Sequence, residues 1–536
     1  MTTMTKERKY VGGAFLIGIV YRLLMSLQGI DSADLGFCMT FYQNFFRHPE
    51  AITFYFNYYL TGLIGGLWQL LFGQFGLLGF RLLETGAMTL AIWLLYRAFL
   101  PWLSSARVGA AAVLLSFLFP SFVITFHYGT LSYLLMAASI YTLSRWLQGG
   151  SAGWLTLAGM MIGLCFFARV INGALIVLLF FPVFWGWKRS RRHALDNAVY
   201  FGGGILAGAL LVLLTMRLLG HLPYYVEGLA EEFGTLYGHN NDSGRLIGSY
   251  FKSYVNIGLQ ILAVSTMALY YGDAGHLPTR LKTAAHILML AALTVLVFTS
   301  QPYLSAVAIC TLIIVITSKP QSLTFYALAC AYLFPFGSGV AISSVFQWCG
   351  GLLIIPAACC YSRLTSQWQR TVTALLVLVI GVNMIYKMCI AAHGEESPRV
   401  KTFTMALPGT LNAMTDSDRA QRYRNEVGRI LEYADDNPLL LIANQASELY
   451  YATGLLPFMG HTELDAFKED AIGRRLEQQI TIWNRLPLVV FIQRGHDSND
   501  MEAFRQELLP WMRKHGYQLV YGDPDIELFK AIQVGK

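Results

Sequence analysis

Through the first three-quarters of this chain, apolar residues come in runs of roughly twenty, the length an α-helix needs to cross a ~30 Å hydrocarbon layer. The first extends from Val11 to Leu27 and contains one charge, Arg22. Further runs occupy 78–98, 108–126, 130–147, 154–168, 171–187, 199–219, 254–272, 284–299, 302–317, 323–336, 340–361 and 371–390. Together they predict about thirteen spans. Only 13% of the residues are charged, against about 25% in soluble domains, so the apolar runs are not the faces of soluble helices. The net charge of +7 reflects basic cytoplasmic loops and is no argument for a nucleic-acid partner.

The N-terminus carries Lys6, Arg8 and Lys9 ahead of the first run. Arg22 inside the run, and the lack of a small-residue cleavage site after it, predict a retained span with a cytoplasmic N-terminus. The stretch Tyr55 to Phe72 sets the remaining topology. If it crossed the membrane, the cluster Lys188, Arg189, Arg191 and Arg192 would lie outside, as would Arg97, Arg107, Arg280 and Lys282. If it lies along the outer interface, all of these become cytoplasmic, together with Arg145, Lys319, Arg363 and Arg370. The positive-inside rule selects the interfacial placement, and Tyr55, Phe56, Tyr58, Tyr59 and Trp68 suit a headgroup layer. The first loop (28–77), the loop 220–253 and everything beyond about 391 then face away from the cytoplasm.

Residues 1–392 thus form a membrane module and 393–536 a soluble domain. In the latter, Pro438 to Ala443 and Leu486 to Ile492 read as buried strands, Met501 to His515 as a helix and Tyr517 to Tyr521 as a further strand, which together argue a small α/β domain. No P-loop or G-x-G-x-x-G element occurs. The eight cysteines have no C-x-x-C spacing and read as small hydrophobes.

Ionisable groups beside the outer membrane surface are the first candidates for chemistry. Asp31 and Asp34, three residues apart, share one face if they open a helix. Two roles fit them: capping a first helical turn, or supplying a general base at the mouth of an apolar cavity.

The order of one outward span, an acidic motif, an aromatic interfacial segment ending in Trp68-Gln69-Leu70-Leu71-Phe72-Gly73, and then Phe80-Arg81-Leu82-Leu83 resembles the GT-C superfamily of polytopic glycosyltransferases. It is most similar to bacterial protein mannosyltransferases and the lipid A aminoarabinose transferases. In that superfamily the first outer loop carries an Asp, often followed by Glu, and Asp34 matches it. Leu35 replaces the Glu, and Phe56-Asn57-Tyr58 replaces the usual Pro-Pro-Leu. The resemblance implies an α-helical polytopic membrane protein of the bacterial inner membrane with a C-terminal periplasmic α/β domain. It also implies a polyprenyl-phosphate-linked sugar donor and an acceptor that is a glycan, lipid or protein.

For such a donor Arg169, which interrupts the run Cys165 to Ile171, is either a phosphate ligand or an arginine snorkelling from a helix end. Arg245 or Lys252 would assist it. His239, Asp242 and Arg245 lie in a polar stretch suited to a lid. His48 and Glu50 would support Asp34 or hold a divalent cation, although no cofactor is required. His127 and Tyr128 would line the same cavity. The expected reaction is direct displacement at the anomeric carbon, with Asp34 as base and Arg169 stabilising the leaving phosphate. A transporter or flippase, or a polymerase or ligase of lipid-linked polysaccharide, is the rival reading; no internal repeat supports the transporter.

Overall fold

The computed structural model describes residues 2–30, 34–118, 125–234, 302–319, 322–335, 348–366, 404–407, 409–443, 446–464, 469–492 and 508–532, with isolated positions in 248–284, 368–381 and at 506. The membrane module opens with α1 (Thr2–Ser26) and α2 (Asp34–Asn44), followed by a 3₁₀ stretch (Pro49–Tyr58) and α3 (Tyr59–Phe72). Next come α4 (Gly76–Phe99), α5 (Ala106–Leu118), α6 (Tyr128–Leu147) and α7 (Ala152–Ala168). A second 3₁₀ stretch (Val170–Leu179) leads to α8 (Phe180–Trp187), α9 (Arg191–Leu218) and α10 (Leu222–Gly234). Beyond these, α11 (Pro302–Thr317), α12 (Leu323–Leu333) and α13 (Gly351–Tyr361) are described.

Most of these helices coincide with the apolar runs, α9 starting eight positions earlier than expected, whereas α2 and α10 lie in the expected loops and the run 171–187 is 3₁₀ over its first half. Among the described residues, four stretches are long and apolar enough to cross a bilayer: Lys9–Ser26, Pro49–Trp102, Val170–Trp187 and Arg191–Leu218. Shorter apolar helices include Ala106–Leu118, Ala152–Ala168 and Gly351–Tyr361. The expected thirteen is not reached in this set. The expected spans 254–272, 284–299 and 371–390 fall mostly outside the described residues. Within the second stretch, α3 has 14 residues, or about 21 Å at 1.5 Å per residue, too short to span on its own. Large apolar side chains point outward along the module, among them Leu16, Leu71, Phe180, Trp187, Leu206 and Leu218. Such a surface suits lipid and not water.

Lipid gives helices no hydrophobic reason to associate, so close backbone approach has to hold them together. The α7–α9 pair uses small residues four apart on both helices. A Cβ on Gly159 would lie 2.0 Å from the Phe201 carbonyl oxygen, and one on Gly163 2.3 Å from that of Ile205. From the other side, Gly204 would meet the Thr156 carbonyl at 2.0 Å and Gly208 that of Met160 at 2.6 Å.

The C-terminal domain begins with a small antiparallel pair, β1 (Thr404–Met405) and β2 (Met414–Thr415). Helix α14 (Ser417–Ala434) follows, with the Asp416 carboxylate accepting the Arg419 N–H at 2.9 Å as its N-cap. The remaining elements are β3 (Leu439–Ile442), α15 (Glu448–Thr453), β4 (Leu456–Pro457), α16 (Glu469–Trp483), β5 (Leu488–Ile492), β6 (Tyr517–Gly522) and β7 (Ile526–Ala531). They build a five-stranded mixed sheet in the order β4-β3-β5-β7-β6. Strands β3, β4 and β5 are parallel, and β7 and β6 return antiparallel. The two apolar runs are the wholly buried β3 and β5, as expected for central strands covered on both faces.

Replacing Gly159 with Ala should destabilise the module by about 1–3 kcal/mol, because the intruding methyl meets backbone that cannot rotate away. Gly203, one position from Gly204 but facing open space, is the control, and Gly203→Ala should change stability by less than about 0.5 kcal/mol. Thermal melts of the detergent-solubilised protein decide this; equal melts for the two variants would contradict the glycine seam.

Candidate active site

Helix α7 ends at Ala168, and Arg169 is extended (φ −161°, ψ 122°) before the chain resumes as a 3₁₀ stretch. A break at membrane depth frees backbone carbonyls that must find donors. The Asn172 amide donates to the Cys165 carbonyl at 2.9 Å and to Ser132 Oγ at 2.7 Å, and the Thr61 hydroxyl donates to the Ala168 carbonyl at 3.0 Å. The break is therefore held from α3 and α6, and it turns the Arg169 side chain inward.

Arg169 is only 6% exposed, and its Cζ lies 4.9 Å from the centre of the Tyr128 ring. Among the described residues its Nε and Nη1 have no hydrogen-bond acceptor. The Tyr128 ring is stacked on Tyr58 (4.7 Å) and on Phe37 (6.3 Å), and Trp348 stands edge-on to it at 5.9 Å. His127 lies 5.3 Å from Trp348, with its Nδ1 2.7 Å from Thr130 Oγ1. His127 Nε2 and Trp348 Nε1 likewise lack partners among the described residues. Burial, reinforced by the Arg169 charge, pushes the His127 imidazolium down to about 3. The ring is thus neutral at any ordinary pH, leaving Arg169 as the cation of a buried aromatic platform.

Asp34 is the first residue of α2, and Asp31 lies outside the described residues. Phe37, one turn after Asp34, carries α2 onto the Tyr128 stack and so joins the acidic motif to the Arg169 platform. The same helix is fixed by the C-terminal domain. A Cβ on Gly36 would lie 2.0 Å from the Glu448 backbone nitrogen, and the Thr40 hydroxyl donates to the Ser447 carbonyl at 3.4 Å.

The other expected site residues are placed differently. His48 and Glu50 pair with each other at 3.2 Å, with their side chains 45% and 35% exposed, at the start of the first 3₁₀ stretch. Lys252 is helical and exposed. His239, Asp242 and Arg245 lie outside the described residues. Among those described, no group of three or more His, Cys, Asp or Glu residues could hold a metal. A cavity of about 380 Å³ opens between the second 3₁₀ stretch with α8 and α12. It is lined by apolar side chains, including Val177, Phe181, Phe184, Ala329 and Leu333.

Sequence reading missed what the C-terminal domain contributes. Its loop after β4 docks on the first 3₁₀ stretch: the Thr462 N–H donates to Tyr55 Oη at 3.1 Å, and His461 packs 4.5 Å from Phe54. Arg475 on α16 pairs with Glu231 of α10 at 2.6 Å and lies 3.9 Å from Glu227. Paired charges far apart in sequence leave no local pattern. The Asn172 and Thr61 caps had a readable cue, since polar side chains around a charged interruption mark a broken helix.

No family model and no curated protein matches the chain. Comparison with solved structures finds the archaeal oligosaccharyltransferase AglB from Archaeoglobus fulgidus, in complex with an inhibitory peptide and a dolichol-phosphate. The TM-score is 0.49 at 12% identity, covering 97% of this chain and 74% of that one. ArnT from Cupriavidus metallidurans, in its apo state, gives a TM-score of 0.44 at 13% identity, covering 99% of each chain.

The Arg475 contact is sensitive to pH. Burial raises the Glu231 carboxyl to about 7 despite Arg475, and Glu227 adds to the rise. The folded chain therefore binds a proton here as pH falls from about 7 to 4.5, where the unfolded chain does not, and this group alone adds stability on acidification. His127 and His461, both held down to about 3 by burial, act in the opposite sense below about 6.5. The difference between wild type and Glu231→Gln isolates the carboxyl. Wild type should gain in melting temperature relative to the variant between pH 7 and 5; a constant difference would refute the shift.

Proposed function

We propose that this protein is a membrane glycosyltransferase that moves a sugar from a polyprenyl-phosphate-linked donor to an acceptor on the non-cytoplasmic side. The observation that carries this reading is the Arg169 guanidinium, buried and with two donors unmet among the described residues. An unpaired buried cation costs several kcal/mol, and a planar fork of donors matches phosphate oxygens. An anionic ligand at this point removes the cost. Trp348 Nε1 and the neutral His127, as Nε2–H tautomer, add donors beside it. The apolar cavity that begins eight residues beyond Arg169 suits the first isoprene units of a lipid tail.

Asp34, on the turn before Phe37, acts as the base that takes the acceptor hydroxyl proton, with Asp31 beside it. The acceptor oxygen attacks the anomeric carbon as the bond to the lipid phosphate breaks. Arg169 stabilises the phosphate that leaves. Arg245 and Lys252 assist from the loop that follows α10, with His239 and Asp242 closing over the sugar. In this reading the N-terminus lies in the cytoplasm, the stretch 55–72 rests on the outer interface, and the C-terminal domain faces the periplasm. The chemistry is displacement at carbon and requires no cofactor.

The purified protein, incubated with a panel of polyprenyl-phosphate sugars, should release free polyprenyl phosphate with one of them. Asp34→Asn should lower that rate by about 10²–10⁴-fold while lipid phosphate still binds. Arg169→Met should instead weaken binding of polyprenyl phosphate by about 10–100-fold, the loss of charge-assisted hydrogen bonds. Release that is undiminished in Asp34→Asn removes the base assignment, and folded protein that releases nothing from any donor removes the transferase reading.

A further inference from the structure

Arg81, early in α4, is 1% exposed and reaches across to the end of α1. Its Nη1 donates to the carbonyls of Ser26 (2.6 Å) and Gln28 (3.3 Å), and its Nη2 to that of Gly29 (2.5 Å). Carbonyls at a helix C-terminus lack donors of their own, and a planar guanidinium bridges several at once where an ammonium cannot. One turn later on α4, Glu84 pairs with Arg22 of α1 at 3.1 Å, holding the two helices in register.

The opposite side of the same segment is strand-paired to the C-terminal domain. The Gly29 N–H donates to the Met414 carbonyl at 2.9 Å, and the Met414 N–H to that of Leu27 at 2.8 Å. The β1–β2 hairpin also holds the start of α4. The Leu77 N–H donates to the Thr410 carbonyl (2.8 Å), the Leu78 N–H to Asn412 Oδ1 (2.9 Å), and Asn412 Nδ2 to the Phe75 carbonyl (2.8 Å). Gly76, at φ +54°, has no room for a side chain, since a Cβ would lie 2.5 Å from the Thr410 oxygen. Downstream of the acidic motif, Gly36 and Thr40 are pinned to Ser447 and Glu448. Both flanks of the motif are thus clamped, each with the C-terminal domain on one side.

We infer that Arg81 is a positioning residue for Asp34, the first residue of α2, and that the C-terminal domain supplies the rest of that brace through Met414 on one flank and Ser447–Glu448 on the other. The catalytic part of this inference rests on Asp34 as the base. Arg81 touches neither donor nor acceptor; it fixes where the chain leaves α1 on its way to α2, and a displacement of about 1 Å at a base lowers turnover by as much as about 10²-fold.

The test uses the full-length protein with Arg81→Met and Arg81→Lys. Arg81→Met should lower kcat by about 10–100-fold with the Kd for polyprenyl phosphate within about twofold, since Arg169 is untouched, and Arg81→Lys should recover part of kcat. An unchanged kcat, or a loss of lipid affinity matching the loss of turnover, would overturn the assignment. Amide exchange on the same variants needs no turnover: residues 27–30 and 34–40 should exchange faster in Arg81→Met while β3 and β5 stay protected. Should Arg81→Met fail to fold, Asn412→Ala loosens the brace from the hairpin side and should speed exchange at 27–30 and 75–78. If wild type turns over no donor, the transferase reading fails and exchange alone decides the brace. Unaltered exchange sinks the brace even in an active enzyme.

Discussion

A helix that breaks among apolar neighbours exposes peptide groups where no water can bond them, and the α3, α6 and α7 part of this module is arranged around one such break. Between Cys165 and Asn172 the chain leaves the α-helix, shows one extended residue and resumes as a tighter helix. The Ala168 carbonyl is met by Thr61, and the Cys165 carbonyl, which keeps the Arg169 N–H at 3.3 Å, takes Asn172 as a second donor, so α3, α6 and α7 must all be in place before the break is tolerable. Arg169 is the residue at the break, and its orientation follows from that backbone geometry. The aromatic stack of Phe37, Tyr58 and Tyr128 then packs beside it, with the guanidinium over the Tyr128 ring.

Much of the membrane body was legible because lipid imposes a simple rule: runs of about twenty apolar residues become helices. The runs 78–98, 130–147 and 154–168 reappear as α4, α6 and α7 with ends displaced by only a few residues. The same applies to β3 and β5, whose apolar runs are bounded by polar residues. Asp416-Ser417-Asp418-Arg419 reads as a charged stretch in the sequence, yet it is a helix cap, because capping depends on the eighteen amphipathic residues that follow and not on the charges themselves. At the site, Arg169 was visible as a charge interrupting an apolar run. Trp348 was not, because one aromatic among many has no pattern until the fold brings it against His127 and Tyr128. His48 and Glu50 were adjacent carriers of chemistry that turned to each other.

The C-terminal domain is the largest departure from the picture of a membrane enzyme with a soluble appendage. Tyr55, Glu231, Gly36 and Gly29 each contact it, and each belongs to a different segment of the membrane module. No property of the last 140 or so residues, read by themselves, announces those contacts. They are made by main-chain groups, by glycines and by single charges, which leave little trace in composition.

Strand pairing between Gln28 and Met414 has a consequence for how the protein is made. The segment after α1 leaves the ribosome early, but its partner strand follows only after the whole membrane module. At translation rates of about 5–20 residues per second, the segment waits on the order of tens of seconds, anchored at one end and lacking its neighbour. Until the last domain has been made and folded, a nascent chain holds its helices but lacks the partner of the segment between α1 and α2. A premature stop anywhere before β2 would then yield an inserted protein in which that segment and the start of α4 stay unbraced.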